Sequence, residues 1–370
     1  MAWSRILGHE EQAKRFRDAL KRGRLPHAYL FVGSEGIGKE LVARELAKAL
    51  ECAEGKDEAC DACPACAKVE HGNHPDVTFV RRTERNEKGE GRSRIVIDQV
   101  REQIQQPIGF KPFEGRWKVF VVAEAERLTE EAQNCLLKTL EEPPPHSMLI
   151  LVASRTEGLV ETVLSRCQIV RFRPLPTDTV EGILVAKHEV EPVRARVLAR
   201  LSGGSPGRAL RYQENGAYET TLWLLRELAK VQAGAEFAIA AELMDKAKEA
   251  GGPLEDVRER MRPVIDLLTL AWRDLFLSAS GYPDVLLTWG AGCEALAGVG
   301  AGLPAASARR LVRASLEARE QMDMNANIKL LVEKMLLDFA GLLRAIPPEG
   351  HSQKPSGGYP NRSRAQEAST

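Results

Sequence analysis

The run Gly33-Ser34-Glu35-Gly36-Ile37-Gly38-Lys39-Glu40 carries the clearest chemistry in the chain. A loop of the form G-x-x-x-x-G-K-[ST] wraps a polyphosphate in backbone N–H groups. Its lysine reaches the outer phosphates and its hydroxyl ligates Mg²⁺. Gly33, Gly36, Gly38 and Lys39 meet that pattern, but the hydroxyl position is Glu40. A carboxylate there is longer and repels the polyphosphate. The second metal ligand of such a site is an Asp closing a later strand. Here Lys118-Val119-Phe120-Val121-Val122 runs instead into Ala123 and Glu124. Glu124 stands where a glutamate would activate water, yet without a held metal it reads as a structural or relic acid. Two independent defects argue against hydrolysis and leave ATP or ADP binding open.

Cys52, Cys60, Cys63 and Cys66 follow a C-x7-C-x2-C-x2-C pattern and account for four of the seven cysteines. Two-residue gaps let successive thiolates converge on one tetrahedral ion. Four of them close its shell, which makes a structural Zn²⁺ the expected ligand. A redox-active pair and a vestigial cluster are the rival readings. His71 and His74 need not ligate, and Cys135, Cys167 and Cys293 read as plain buried residues.

These groups must be held by regular elements. Tyr29-Leu30-Phe31-Val32 reads as a buried strand feeding the loop, and Val42, Leu46, Ala49 and Leu50 recur at helical spacing after it. A basic helix is expected from Glu10 to Lys21; its cations form a solvated face or, alternatively, a DNA contact. The charged stretch Arg81 to Arg94 is expected as an exposed loop between two short strands, with Asp98 capping a helix through Gln106. Thr129 caps the next helix, Pro143-Pro144-Pro145 ends it, and Met148 to Ala153 is a third buried strand. Strands alternating with helices predict an α/β domain with a parallel sheet. Past Pro174 the pattern is helical, with Ile328, Leu331, Val332, Met335, Leu336, Phe339 and Leu343 tracing one apolar stripe. The stretch from 347 to 370, rich in Pro, Gly and Ser, is expected to be disordered.

Lys+Arg and Asp+Glu both number 52, so bulk charge argues against a dedicated nucleic-acid binder and confines any DNA contact to local patches. No apolar run approaches the ~20 residues that span a bilayer, and Met1-Ala2-Trp3-Ser4-Arg5 lacks the core of a secretion signal. A cytoplasmic protein without membrane contact is the expectation.

Several strings together resemble the clamp-loader branch of the AAA+ proteins. They are Leu25-Pro26-His27-Ala28-Tyr29-Leu30-Phe31, Leu136-Leu137-Lys138-Thr139-Leu140-Glu141-Glu142-Pro143-Pro144, Leu164-Ser165-Arg166-Cys167 and Gly207-Arg208. The resemblance implies an AAA+ P-loop domain over 1–174 with a zinc module inserted at about 52–66, a small helical lid over 175–213, and an all-α collar over 214–346 that mediates oligomerisation. It implies that Arg166 acts as an arginine finger on a neighbour's nucleotide, and that Arg208 matches a lid arginine that senses nucleotide. Ser154 falls near the family's polar sensor, although Arg155 departs from the usual pattern. The implied partners are the delta and tau/gamma subunits of the bacterial DNA polymerase III clamp loader. The sliding clamp and primed DNA would be reached through the complex. An active motor subunit of the same family is one alternative, and a zinc-bearing DNA-binding module without motor partners is another.

Overall fold

The computed structural model describes residues 2–55, 57–82, 94–249, 254–290, 292–324 and 326–344. The tail at 347–370 and most of the loop expected at 81–94 lie outside the described residues. The chain divides into two compact units. One is Met1–Thr221 with Glu259–Leu267 and Thr288–Gly290; the other is Leu222–Arg258 with Leu268–Leu287 and Ala291–Thr370.

The first unit is built on a five-stranded parallel sheet of β1 (Ala28–Val32), β2 (Val77–Val80), β3 (Lys118–Val122), β4 (Ser147–Ala153) and β5 (Gln168–Arg171), in the order β2-β3-β4-β1-β5. β1, β3 and β4 are buried along their whole length, as a sheet covered on both faces requires. Alternate residues of β1 serve opposite cores. Tyr29 and Phe31 join Phe16, Val42 and Leu46 under α1 (Glu10–Lys21) and α2 (Lys39–Glu51). Ala28, Leu30 and Val32 join Val100, Leu136 and Val163 on the other face. That second face is covered by α4 (Ile97–Val100), its continuation through a π-helix (Arg101–Gln105) into α5 (Gln106–Ile108), then α6 (Glu130–Glu141) and α7 (Glu161–Leu164). A short helix, α3 (Pro64–His71), follows the cysteine cluster.

Two local expectations are corrected. Val96, not Asp98, is the N-cap residue of α4, and Asp98 lies in the first turn, where its charge suits the helix dipole. In place of the second short strand expected directly after the charged loop, the described residues form an isolated bridge, Ile95 with Leu128. Thr129 caps α6 as expected, accepting the Ala132 N–H.

After β5 the first unit adds α8 (Thr177–His188), α9 (Pro192–Leu201) and α10 (Pro206–Glu214), packed around Val180, Leu184, Leu198 and Ala209. Next come α11 (Ala217–Leu228), α12 (Glu236–Glu249), α13 (Leu254–Ala279), α14 (Glu294–Gly300), α15 (Ala305–Asp323) and α16 (Ile328–Arg344). In the second unit α16 packs on α12 and α15, and its whole apolar stripe from Ile328 to Leu343 is buried. Phe339 meets Trp272 edge to face at 5.4 Å. Among the described residues no helix is long and apolar enough to cross a membrane.

Candidate functional site: a phosphate-type loop, a four-cysteine cluster and an edge arginine

The phosphate loop lies between β1 and α2 and borders a cavity of about 350 Å³. Five successive loop carbonyls each accept a hydrogen bond from the chain's own donors. The Lys39 ammonium donates to Gly33 O at 2.5 Å and to Ser34 O at 2.7 Å. Ser205 Oγ donates to Glu35 O at 2.8 Å, and the Gly207 N–H donates to Gly36 O at 2.9 Å. His9 Nε2 lies 2.8 Å from Ile37 O. The loop is therefore fully formed, with its lysine folded back on it. Burial lowers the Lys39 pKa, partly offset by Glu126 and Glu35.

Charge in the cavity opposes a polyphosphate. Glu35, Glu40, Glu124 and Glu126 line it, against Lys39 and Arg211. Each of these glutamates has a partner. Arg211 holds Glu35 at 2.7 Å, Arg44 and Arg81 hold Glu40, Arg82 and Arg127 hold Glu124, and Ser154 donates to Glu126. Glu124 has a left-handed backbone, φ 50°, where the strand turns into the next short helix. Glu126 keeps its second carboxylate oxygen, Oε2, buried without a hydrogen-bond partner, but Glu40 and Glu124 are both held by arginines and residue 123 is alanine, so residues 40 and 123–124 do not fit a Mg²⁺-triphosphate. Arg208 does not line the cavity. Its Nη1 turns to Ser202 O at 3.5 Å, and Arg211, three residues along α10, faces the loop instead. That exchange follows from the helix start docking through Ser205 and Gly207.

Cys52, Cys60, Cys63 and Cys66 do converge, their sulfurs all lying within 4.8 Å of one another. Backbone N–H groups point at two of the sulfurs. Cys52 Sγ accepts the N–H groups of Gly55 at 3.1 Å and Cys60 at 3.3 Å, and Cys60 Sγ accepts that of Cys63 at 3.3 Å. Four soft, mostly buried donors with stabilising N–H groups fit a closed tetrahedral metal site. His71 and His74 are engaged elsewhere, on Ala67 O and beside Glu114. The cluster is tied to its surroundings by ion pairs. Arg17 and Lys21 of α1 reach Asp57 and Glu58, so part of the basic face expected to be solvated is spent here. Lys48, 1% exposed, meets Glu45, Asp61 and Glu70.

Arg166 sits in the turn between α7 and β5, 35% exposed, and pairs with Glu141 at 2.7 Å. Cys167 beside it is buried. The sequence reading missed a pair of buried carboxylates, Glu51 and Asp76. Together they accept five backbone N–H groups from Phe113 to Trp117. Burial pushes Glu51 up to about 7. The loop so gripped leaves Phe110 and Phe113 exposed. Only the apolar letters amid a charged loop could have signalled it.

A family described as "DNA polymerase III, delta subunit" matches residues 8–176. The delta' subunit of Bacillus subtilis (strain 168) is 29% identical over 324 residues, covering 86% of this chain and 92% of that one. The tau subunit of Escherichia coli (strain K12) is 33% identical over 211 residues; they cover 55% of this chain and span only 31% of tau. A gamma subunit-related protein of Thermotoga maritima superposes with a TM-score of 0.45 at 16% identity, over 89% of this chain and 100% of that one.

Proposed function

Because this chain belongs to the clamp-loader subunits of DNA polymerase III, we propose that it takes the delta' place in that assembly, with no ATPase cycle of its own. The match to delta' over 86% of this chain and 92% of that one supports this reading, together with the loss of both metal ligands at positions 40 and 123. The match to the tau subunit of Escherichia coli covers 55% of this chain and 31% of tau. Residues 1–174 would act as the motor-like AAA+ domain, 175–213 as lid and 214–346 as collar.

In that role Arg166 supplies its guanidinium to the nucleotide of a neighbouring subunit, where it stabilises charge on the transferring phosphoryl group. Delta and tau/gamma are the subunits it would meet, and the complex would open the sliding clamp and close it on primed DNA in the cytoplasm. The cysteine cluster would hold Zn²⁺ and brace α1 and α2 locally. What supports the finger reading is that Arg166 lies at the end of the sheet edge formed by β5, partly exposed and outside the chain's own cavity.

The test is a reconstituted clamp loader with Arg166→Ala. A loss of DNA-stimulated ATPase by a factor of about 10³, with the complex still assembled, is expected. The isolated chain should turn over no ATP in Mg²⁺; steady hydrolysis by it would identify a motor instead.

A further inference from the structure

The guanidinium of Arg166 is held from two elements at once. From α6, Glu141 Oε1 forms an ion pair with Nη2 at 2.7 Å. From α7, Thr162 O accepts Nη1–H at 3.0 Å, and Ser165 Oγ, in the turn that carries Arg166, lies 3.3 Å from the same nitrogen. Its own backbone is pinned by the N–H bond to Val163 O at 3.2 Å, and the next residue, Cys167, is buried. An arginine carries five N–H donors in a rigid fork. The named contacts use part of that fork and leave Nε–H and one Nη2–H for an acceptor arriving from outside.

We propose that Glu141 is the positioning residue for Arg166: it fixes the guanidinium at the domain edge before the neighbouring nucleotide arrives. The inference rests on the finger reading above. Both side chains are substantially exposed, 35% for Arg166 and 51% for Glu141, and an ion pair of that kind adds little to folding. Its effect falls on the arginine itself. A long side chain that must be frozen during docking weakens the step that uses it, whereas one already held does not. Small misplacement of a charge-stabilising group is also costly to rate. Glu141 is the last residue of α6, and the prolines from Pro143 onward keep the helix from continuing past it. Its carboxylate is therefore presented from a fixed point, unlike a residue in a loop.

The experiment measures DNA-stimulated ATPase of the reconstituted clamp loader carrying Glu141→Ala, Glu141→Gln, Arg166→Ala, or Arg166→Ala with Glu141→Ala, each checked for assembly by gel filtration. Glu141→Ala is expected to lower kcat about tenfold at unchanged KM for ATP. Glu141→Gln, which keeps an acceptor, should recover most of that loss. The double variant should be no slower than Arg166→Ala alone. A Glu141→Ala complex that runs at the wild-type rate or faster, or a loss that adds to that of Arg166→Ala, overturns the positioning role and leaves the finger standing. A wild-type rate in Arg166→Ala removes the finger reading, and this inference with it.

Discussion

Gly207 donates its backbone N–H to the Gly36 carbonyl at 2.9 Å, and neither residue has room for a side chain. A Cβ on Gly207 would stand 2.9 Å from the Gly36 Cα, and one on Gly36 would stand 2.6 Å from Ser205 Oγ. Gly36 also has φ +74°, which an L side chain resists. The start of α10 is thus seated backbone to backbone on the phosphate loop, closed by the chain's own groups.

Gly207→Ala should therefore pry α10 from the loop. The clash is with backbone, which cannot swing aside, so a loss of about 1–3 kcal/mol is expected. Hydrogen exchange should rise in the loop and in α10 together. Gly182→Ala is the control, since Gly182 lies in α8 with nothing near its absent Cβ. That variant should gain roughly 0.5–1 kcal/mol from helix propensity. Equal stability and exchange for Gly207→Ala and the wild type would mean that the contact is not maintained in solution.

The cysteine cluster should carry one metal ion per chain. Elemental analysis of protein purified without chelator is expected to give zinc at unit stoichiometry, and Cys60→Ser should lower it. Cys60 both offers a sulfur and accepts the Cys63 N–H, so its loss also loosens the turn into α3. Stripping the ion should lower Tm and release the ties of α1 to Asp57 and Glu58. Zinc-free protein with unchanged Tm, or a disulfide within the cluster, would favour the redox or vestigial readings.

Stability should depend on pH in two separate windows. Glu51 is buried and pushed up to about 7 from the ordinary 4.5, so between those values the folded state keeps a proton that the unfolded chain has released. Its contribution makes stability fall as pH rises through that window, by up to about 3 kcal/mol. Glu70 is the opposite case. The Arg5 hydrogen bond holds it down to about 2, so its stabilisation is present above about 4.5 and is lost as pH falls towards 2. Glu70 is one-third exposed, and screening reduces that contribution to about 1 kcal/mol. Denaturant midpoints across both windows should show Glu51→Gln flattening the upper slope and Glu70→Gln the lower. Glu51→Gln should also be less stable overall, because its amide would face one of the N–H groups of Arg116 and Trp117. An unchanged upper slope in Glu51→Gln would mean that Glu51 is ionised in the fold.

Much of the first unit was legible because its signals are local. Strand β3 was read to the residue, and the Thr129 cap and the stop at the prolines follow from backbone chemistry within a few positions. The cysteine spacing is likewise a short-range geometric constraint. Asp98 misled because several residues near a helix start can serve as caps, and the actual start is set by packing of Ile97 and Val100 against the sheet. Arg208 was picked for its place beside Gly207; which of two arginines on α10 faces the loop depends on the helix rotation that the Gly36 contact imposes.

The sequence by itself determined the loop, its missing metal ligands, the four-cysteine pattern and the alternation of strands and helices, since each depends on residue type and near spacing. Only the tertiary structure decided where the charges go. Whether Glu40 meets a phosphate or Arg44 and Arg81, whether Lys39 reaches out or folds onto Gly33, and whether Arg166 stands alone or rests on Glu141 are questions about groups up to 41 residues apart. Electrostatic partners are chosen by distance in space and by burial, and neither is written in the order of the residues.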